Sequence, residues 1–335
     1  MRWGWTTFAF AALLAACASE PTTVSRPEIW EPPELTPGTA YFSFDVSSVS
    51  QHTSASKTAY AHPALSPDGK SLAYSATVNG EHADIFIQDI AGRAAREVAR
   101  HPLDDITPAF RADGTQLAFA SNRDGRWNIY VADLKVNSPL LQVTDDGWEN
   151  FAPCFSPDGK WIAYSTRRNA GEPWLVALAD LDSGTRTLLC EGSNPSFSPV
   201  DPLIVFSRNS RRAPGWPSLW TIRTDGTEQT EIYRSDDHGA VLPTFAGPNW
   251  ILFSTVGKLD GNARDGFVRA DDIWMITLRG ARAGRVTWHG MQDWDAVYDA
   301  LGERCFYVSN RDGGQNIFSA ALYLPKLESG LGGGR

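Results

Sequence analysis

The chain has 335 residues, 42% hydrophobic and 21% charged, with 30 basic against 39 acidic side chains and a formal charge of −9. That apolar content supports a packed core and excludes a largely disordered chain. The acidic balance, without a basic patch, argues against nucleic acid as a partner.

Residues 1–16 carry one early positive charge at Arg2, an apolar run from Phe8 to Ala16 and small residues before Cys17. This is the pattern of a secretory signal, too short to span a bilayer. Leu14-Ala15-Ala16-Cys17 resembles the lipobox of bacterial lipoproteins, which implies acylation of Cys17 as the mature first residue. Ala18 follows that cysteine in place of the Asp of inner-membrane retention, so the expected location is the outer membrane, facing the periplasm. Residues 17–38 contain Pro21, Pro27, Pro32, Pro33 and Pro37 and little apolar content, and are expected to form an extended tether.

From there to residue 325 the chain is a repeat. Anchors at Pro63, Pro108, Pro153, Pro195, Pro243 and Ala296 are spaced by 45, 45, 42, 48 and 53 residues. Each is followed by a turn, then by an apolar run holding an aromatic at Tyr74, Phe119, Tyr164, Phe206, Phe253 or Tyr307. A second run begins with pairs such as Ile85-Phe86, Ile129-Tyr130 and Ile317-Phe318; only the third copy departs, with Trp174-Leu175. Short β-branched and aromatic runs broken by Pro, Asp and Gly at a regular period are antiparallel strands. In Ser66-Pro67-Asp68-Gly69 and Ser156-Pro157-Asp158-Gly159, Pro presets φ and Gly takes the left-handed position. Val200-Asp201-Pro202 and Gly247-Pro248-Asn249 lack this pattern, so those two turns are expected to deviate.

With its Pro, Ser-Pro-Asp-Gly, aromatic, Arg-Asp-Gly and Ile-Tyr order, the repeat resembles the TolB-type, WD-repeat-like β-propeller family. The resemblance implies an all-β, six-bladed β-propeller with four-stranded antiparallel blades. The sixth unit has no fourth strand after Leu322, so the ring is expected to be closed by an N-terminal strand near Tyr41–Val46. The propeller spans residues 39–325, with a tail over 326–335. TolB-type proteins carry an α/β domain ahead of the propeller; here the Pro-rich tether stands in its place.

Cys154 falls in the innermost strand of blade three and Cys190 in its outermost. Three strand spacings of about 4.8 Å put them roughly 14 Å apart, beyond disulfide reach, so unpaired thiols are expected.

On this topology the A–B and C–D turns emerge on one face, and the B–C loops and blade crossovers on the other. The loop face holds the insertions Asn209 to Ser218 and Gly257 to Asp271, together with acids and tryptophans. Loops on a rigid scaffold are where binding residues concentrate. The expected ligand-contacting mouth is Asp105, Asp293, Asp295 and Trp294, with Trp148 and His62 beside it. It is read as an acidic, aromatic site for a protein or peptide partner, basic ones included. No Gly-x-Ser-x-Gly elbow occurs, and His62, His101, His238 and His289 sit in registers that do not converge. Neither a cofactor nor a metal is expected. The expected function is that of a lipid-anchored, monomeric envelope scaffold. The alternative is a carbohydrate-active lyase or hydrolase with its site at the axial funnel, since oligogalacturonate lyases resemble this repeat family.

Overall fold

A computed structural model describes residues 43–324 except 55–57, 78–81, 93, 137, 212–214, 258–268, 281–282 and 288–290. The signal peptide, Cys17, the tether, the tail and His289 lie outside the described residues, as does most of the blade-five insertion.

In chain order, β1 (Ser43–Gln51) precedes blade one, which is β2 (Tyr60–Leu65), β3 (Ser71–Thr77), β4 (Ala83–Asp89) and β5 (Ala95–Ala99). Blade two is β6 (Asp105–Phe110), β7 (Gln116–Ser121), β8 (Asn128–Asp133) and β9 (Leu141–Gln142). Blade three is β10 (Glu149–Phe155), β11 (Trp161–Arg167), β12 (Leu175–Asp180) and β13 (Arg186–Glu191). Blade four is β14 (Ser193–Phe197), β15 (Leu203–Asn209), β16 (Pro217–Arg223) and β17 (Thr230–Tyr233). Blade five is β18 (Gly239–Phe245), β19 (Trp250–Gly257), β20 (Arg269–Thr277) and β21 (Ala283–Arg285). Blade six takes β22 (Asp293–Asp299), β23 (Arg304–Ser309) and β24 (Asn316–Tyr323), and its outer strand is β1. Ser43 lies opposite Tyr323 and Gln51 opposite Phe318, so the ring is closed from the N-terminal side.

The turns form for the reasons their sequences suggest. In blade one the Asp68 carboxylate accepts the Ser66 hydroxyl at 2.6 Å and the Lys70 N–H at 3.1 Å, while Gly69 sits at φ +66°. The same bonds recur at Ser156, Asp158 and Lys160. In blade four the Ser198 hydroxyl accepts the Asp201 N–H at 3.2 Å and no carboxylate closes the turn.

The six anchors mark a second repeated device. Each is preceded by a non-glycine residue in the left-handed region: His62, Thr107, Ala152, Asn194, Leu242 and Asp295, with φ between +49° and +54°. At each of these sites the innermost strand slips register against its neighbour. A left-handed residue costs about 1–2 kcal/mol. Its sixfold recurrence makes the bulge a fixed part of the blade that re-aims one side chain per inner strand. The inner strands meet around the ring, so these six residues encircle the axis.

The core is divided into six wedges, each shared by adjacent blades. Ile85, Leu117 and Phe119 pack between blades one and two, and Leu72, Tyr74, Phe306 and Trp294 between blades six and one. All six aromatics of the first runs are buried. Each contributes roughly 1.5–3 kcal/mol of apolar burial, which is why the period is held by aromatics.

Candidate partner-binding face

The axial ring is partly polar. His62 Nδ1 and the Ser75 hydroxyl are 2.7 Å apart, and burial pushes the imidazole pKa down to about 4. The Asp295 backbone N–H donates to the Ser254 hydroxyl of blade five at 3.0 Å, and its carboxylate accepts the His62 backbone N–H. Burial raises the Asp295 carboxyl to about 7, with the His62 bond opposing it. The Thr107 hydroxyl and the Asn194 amide oxygen, from the same ring, are buried without a hydrogen-bond partner.

The structure brings His62 and Asp295 together at the axis and does not bring Asp105 and Asp293 to it. Both of the latter carboxylates are fully buried. Arg123 Nη2 donates to both Asp105 oxygens at 3.0 Å, and Arg311 Nη2 reaches the two Asp293 oxygens at 3.2 and 3.3 Å. Each guanidinium also bonds a serine, Ser121 at 2.8 Å or Ser309 at 3.0 Å, through its Nε. Each lies against an aromatic pair, Phe119 with Tyr130 or Tyr307 with Phe318. Burial raises the Asp105 carboxyl, an effect that Ser121 and Arg123 oppose. Asp105 and Asp293, expected at the mouth, are interior ion-pair partners. A signal for this is present in the sequence, since Ser-Asn-Arg-Asp-Gly occurs at 121–125 and again at 309–313, in the two blades that carry Asp three residues before the anchor.

Trp294, also expected at the mouth, is 4% exposed and packs with Tyr74 and Phe306 in the wedge between blades six and one. Trp148 stays partly exposed, with its backbone N–H donating to Asp146. Most other loop-face acids are also matched. Asp146 and Asp145 hold Arg186 at 2.8 and 3.3 Å, Glu149 lies 3.8 Å from Arg126, and Asp236 3.1 Å from Arg234. Asp295 has no ion pair among the described residues.

This face also carries a half-buried aromatic row over blades two and three. Trp127 and Phe151 have ring centroids 4.7 Å apart, and Phe151 meets Trp174 edge-on at 5.4 Å. The Arg167 guanidinium lies 4.4 Å from the Trp174 ring. All three aromatics are partly exposed. Partly wet aromatic clusters beside cations are typical interface anchors. Phe151 and Trp174 were not among the residues expected at the mouth, and Trp127 joins them only because blades two and three stand side by side. Among the described residues, no group of three His, Cys, Asp or Glu is arranged to hold a metal ion.

Comparison with known proteins gives a consistent family. The family described as TolB beta propeller domain matches residues 41–243. The Tol-Pal system protein TolB of Francisella tularensis subsp. tularensis (strain WY96-3418) is 26% identical over 193 residues, covering 56% of this chain and 43% of that protein. The chain thus spans less than half the length of that relative. TolB from Acinetobacter baumannii superposes with a TM-score of 0.52 at 28% identity, covering 62% of this chain and 54% of that one. An oligogalacturonate lyase in complex with manganese superposes with a TM-score of 0.56 at 13% identity over 86% of this chain and 97% of that one, a likeness of fold alone.

Proposed function

Because the chain belongs to the TolB beta propeller domain family, we propose that it is a cell-envelope scaffold that receives a protein or peptide partner on its loop face. The observation that carries this reading is the row Trp127, Phe151 and Trp174, a rigid apolar platform beside the channel mouth. Such a platform loses little side-chain entropy on binding, so its burial converts efficiently into affinity. Because the acids around it are largely ion-paired, the partner is held more by apolar contact than by steering. Its affinity should fall only modestly between 0.1 and 1 M salt, although the Debye length shrinks from about 10 Å to about 3 Å.

The proposed anchor is a lipid on Cys17 in the outer membrane, with the propeller facing the periplasm. Ser43, opposite Tyr323, sits at the turn-face end of blade six. A tether leaving from that point would hold the loop face away from the membrane and open to partners.

Crosslinking in whole envelopes followed by pull-down tests the reading. One defined envelope protein should be captured and should be lost in the Trp127→Ala, Trp174→Ala double variant. Capture that is unchanged in that variant would place the partner elsewhere on the propeller.

A further inference from the structure

Blade six carries a serine at one position of interest, the residue after the one that pairs with the first-run aromatic. That residue is Ile87, Val131, Leu178 and Met275 in four blades and Thr221 in blade four, but Ser319 in blade six. Ser319 is buried, and its hydroxyl lies 2.8 Å from His52 Nε2. The imidazole packs at a tilt against Phe306, with centroids 4.9 Å apart, and the His52 carbonyl accepts the Gln88 amide of blade one at 3.2 Å. Burial, reinforced by Arg304, pushes the His52 pKa down to about 4, so the ring is neutral at neutral pH. A polar pair thus stands where the other blades are mainly apolar, the kind of local departure that marks functional sites.

Beside this pair the seam between blades six and one opens into a cleft of 810 Å³ on the turn face. Small-molecule sites occupy roughly 300–1,000 Å³. The cleft exists because its walls are small, with Gly69, Gly92, Gly302, Ala320 and Ala321 among them. It also exists because β1 bows outward. Asp45 faces Ala321 and Ser50 faces Ser319, so residues 46–49 stand opposite Ala320 alone, and the Ser48 hydroxyl accepts the Ala321 N–H at 2.7 Å.

The lining is mixed, about half of it polar, and carries both signs of charge. Lys70 and Arg304 bring two cations into one cleft of a chain whose formal charge is −9. Arg304 is held in place by Asp299 at 2.7 Å through Nη2 and 3.2 Å through Nε. Asp89, oriented by the Ala91 N–H at 2.9 Å, adds a carboxylate, and Ser50 a hydroxyl. An apolar ligand would strip water from these groups and return no hydrogen bonds. A ligand with an acidic group at one end and hydroxyls along its body matches them.

We propose that the seam cleft binds a small hydroxylated anion of sugar size, a sugar acid or a sugar phosphate. Lys70 and Arg304 take the acid group, Asp89 and Ser50 take hydroxyls, and the His52–Ser319 pair forms the floor.

Calorimetric titration with glucuronate, glucose 6-phosphate and glucose tests this, and the first two distinguish a carboxylate from a phosphate ligand. At least one acid should bind saturably, with glucose about tenfold weaker, the worth of one charge-assisted hydrogen bond. Lys70→Ala should weaken that binding by about tenfold for the same reason. Ser319→Val places in blade six the residue that blade two carries at this position, so the fold should be kept while affinity drops. An unchanged melting temperature for both variants secures that comparison. The proposal is overturned if neither acid saturates, if glucose binds as well as the acids, or if both variants bind like the parent protein.

Discussion

The carboxylate of Asp295 in blade six accepts the backbone N–H of His62 in blade one, tying together the two inner strands that meet at the seam. The two side chains titrate in opposite senses. Burial raises Asp295 from 3.8 to about 7 and lowers His62 from 6.5 to about 4, so each is favoured in its neutral form.

The two contributions should therefore slope in opposite directions over the same window, roughly pH 4–7, and largely offset each other. For Asp295 the contribution is full below its unfolded pKa of 3.8 and is lost as pH rises through about 7. For His62 it is full above 6.5 and is lost as pH falls through about 4. Asp295→Asn keeps an acceptor and removes the titration. Its melting temperature should match the parent at pH 4 and exceed it progressively toward pH 8. A gap that stays constant with pH would show that the carboxyl is not protonated when buried. His62→Gln should remove only part of the opposing slope, since burial also lowers His52 to about 4.

Arg123→Ala leaves the fully buried Asp105 without its guanidinium. Removing one partner of a buried pair costs about 3–5 kcal/mol, whereas replacing both is far milder. Urea unfolding of Arg123→Ala, Asp105→Ala and the double variant should give a double-mutant loss well below the sum of the singles. Simple additivity would mean that the pair has no coupling.

Cys154, Cys190 and Cys305 are unpaired in the structure. Burial raises all three thiols, Cys190 to about 11, so little thiolate is present at pH 8. Alkylation of the native protein should be slow and should become fast on unfolding, with three modified peptides recovered without reductant. A linked Cys154–Cys190 peptide would contradict the order of the blade-three strands.

The proposed anchor predicts that Cys17→Ser moves the protein from the membrane pellet to the soluble envelope fraction. Undiminished pelleting of that variant would remove the lipid from the account.

The fold was legible because its signals are local and repeated: a Pro-Asp-Gly turn, one aromatic per first run, and a missing outer strand in the sixth unit. The candidate face was legible only in part. In a regular strand Asp293 and Asp295 would point the same way. The left-handed bulge at Asp295 slips the register between Trp294 and Val297, so parity is not preserved across it. Asp295 therefore belongs to the axis, while Asp293 turns to Arg311. The aromatic row depends on contact between blades, and periodicity within one repeat carries no information about it.

Pairing Ser43 with Tyr323 joins residues 323 − 43 = 280 positions apart. As the chain emerges N-terminus first, β1 appears ahead of blade one and is the last of the described strands to find its neighbour, since residues 316–323 emerge after all the other blades. Blades one to five can assemble in order from local hairpins, each on the edge of the one before. The entropic cost of the final closure grows only as the logarithm of its span, so distance alone does not forbid it. Its lateness does shape the pathway, leaving an open ring with exposed strand edges until the C-terminal blade has emerged, a state in which the chain is most exposed to mispairing.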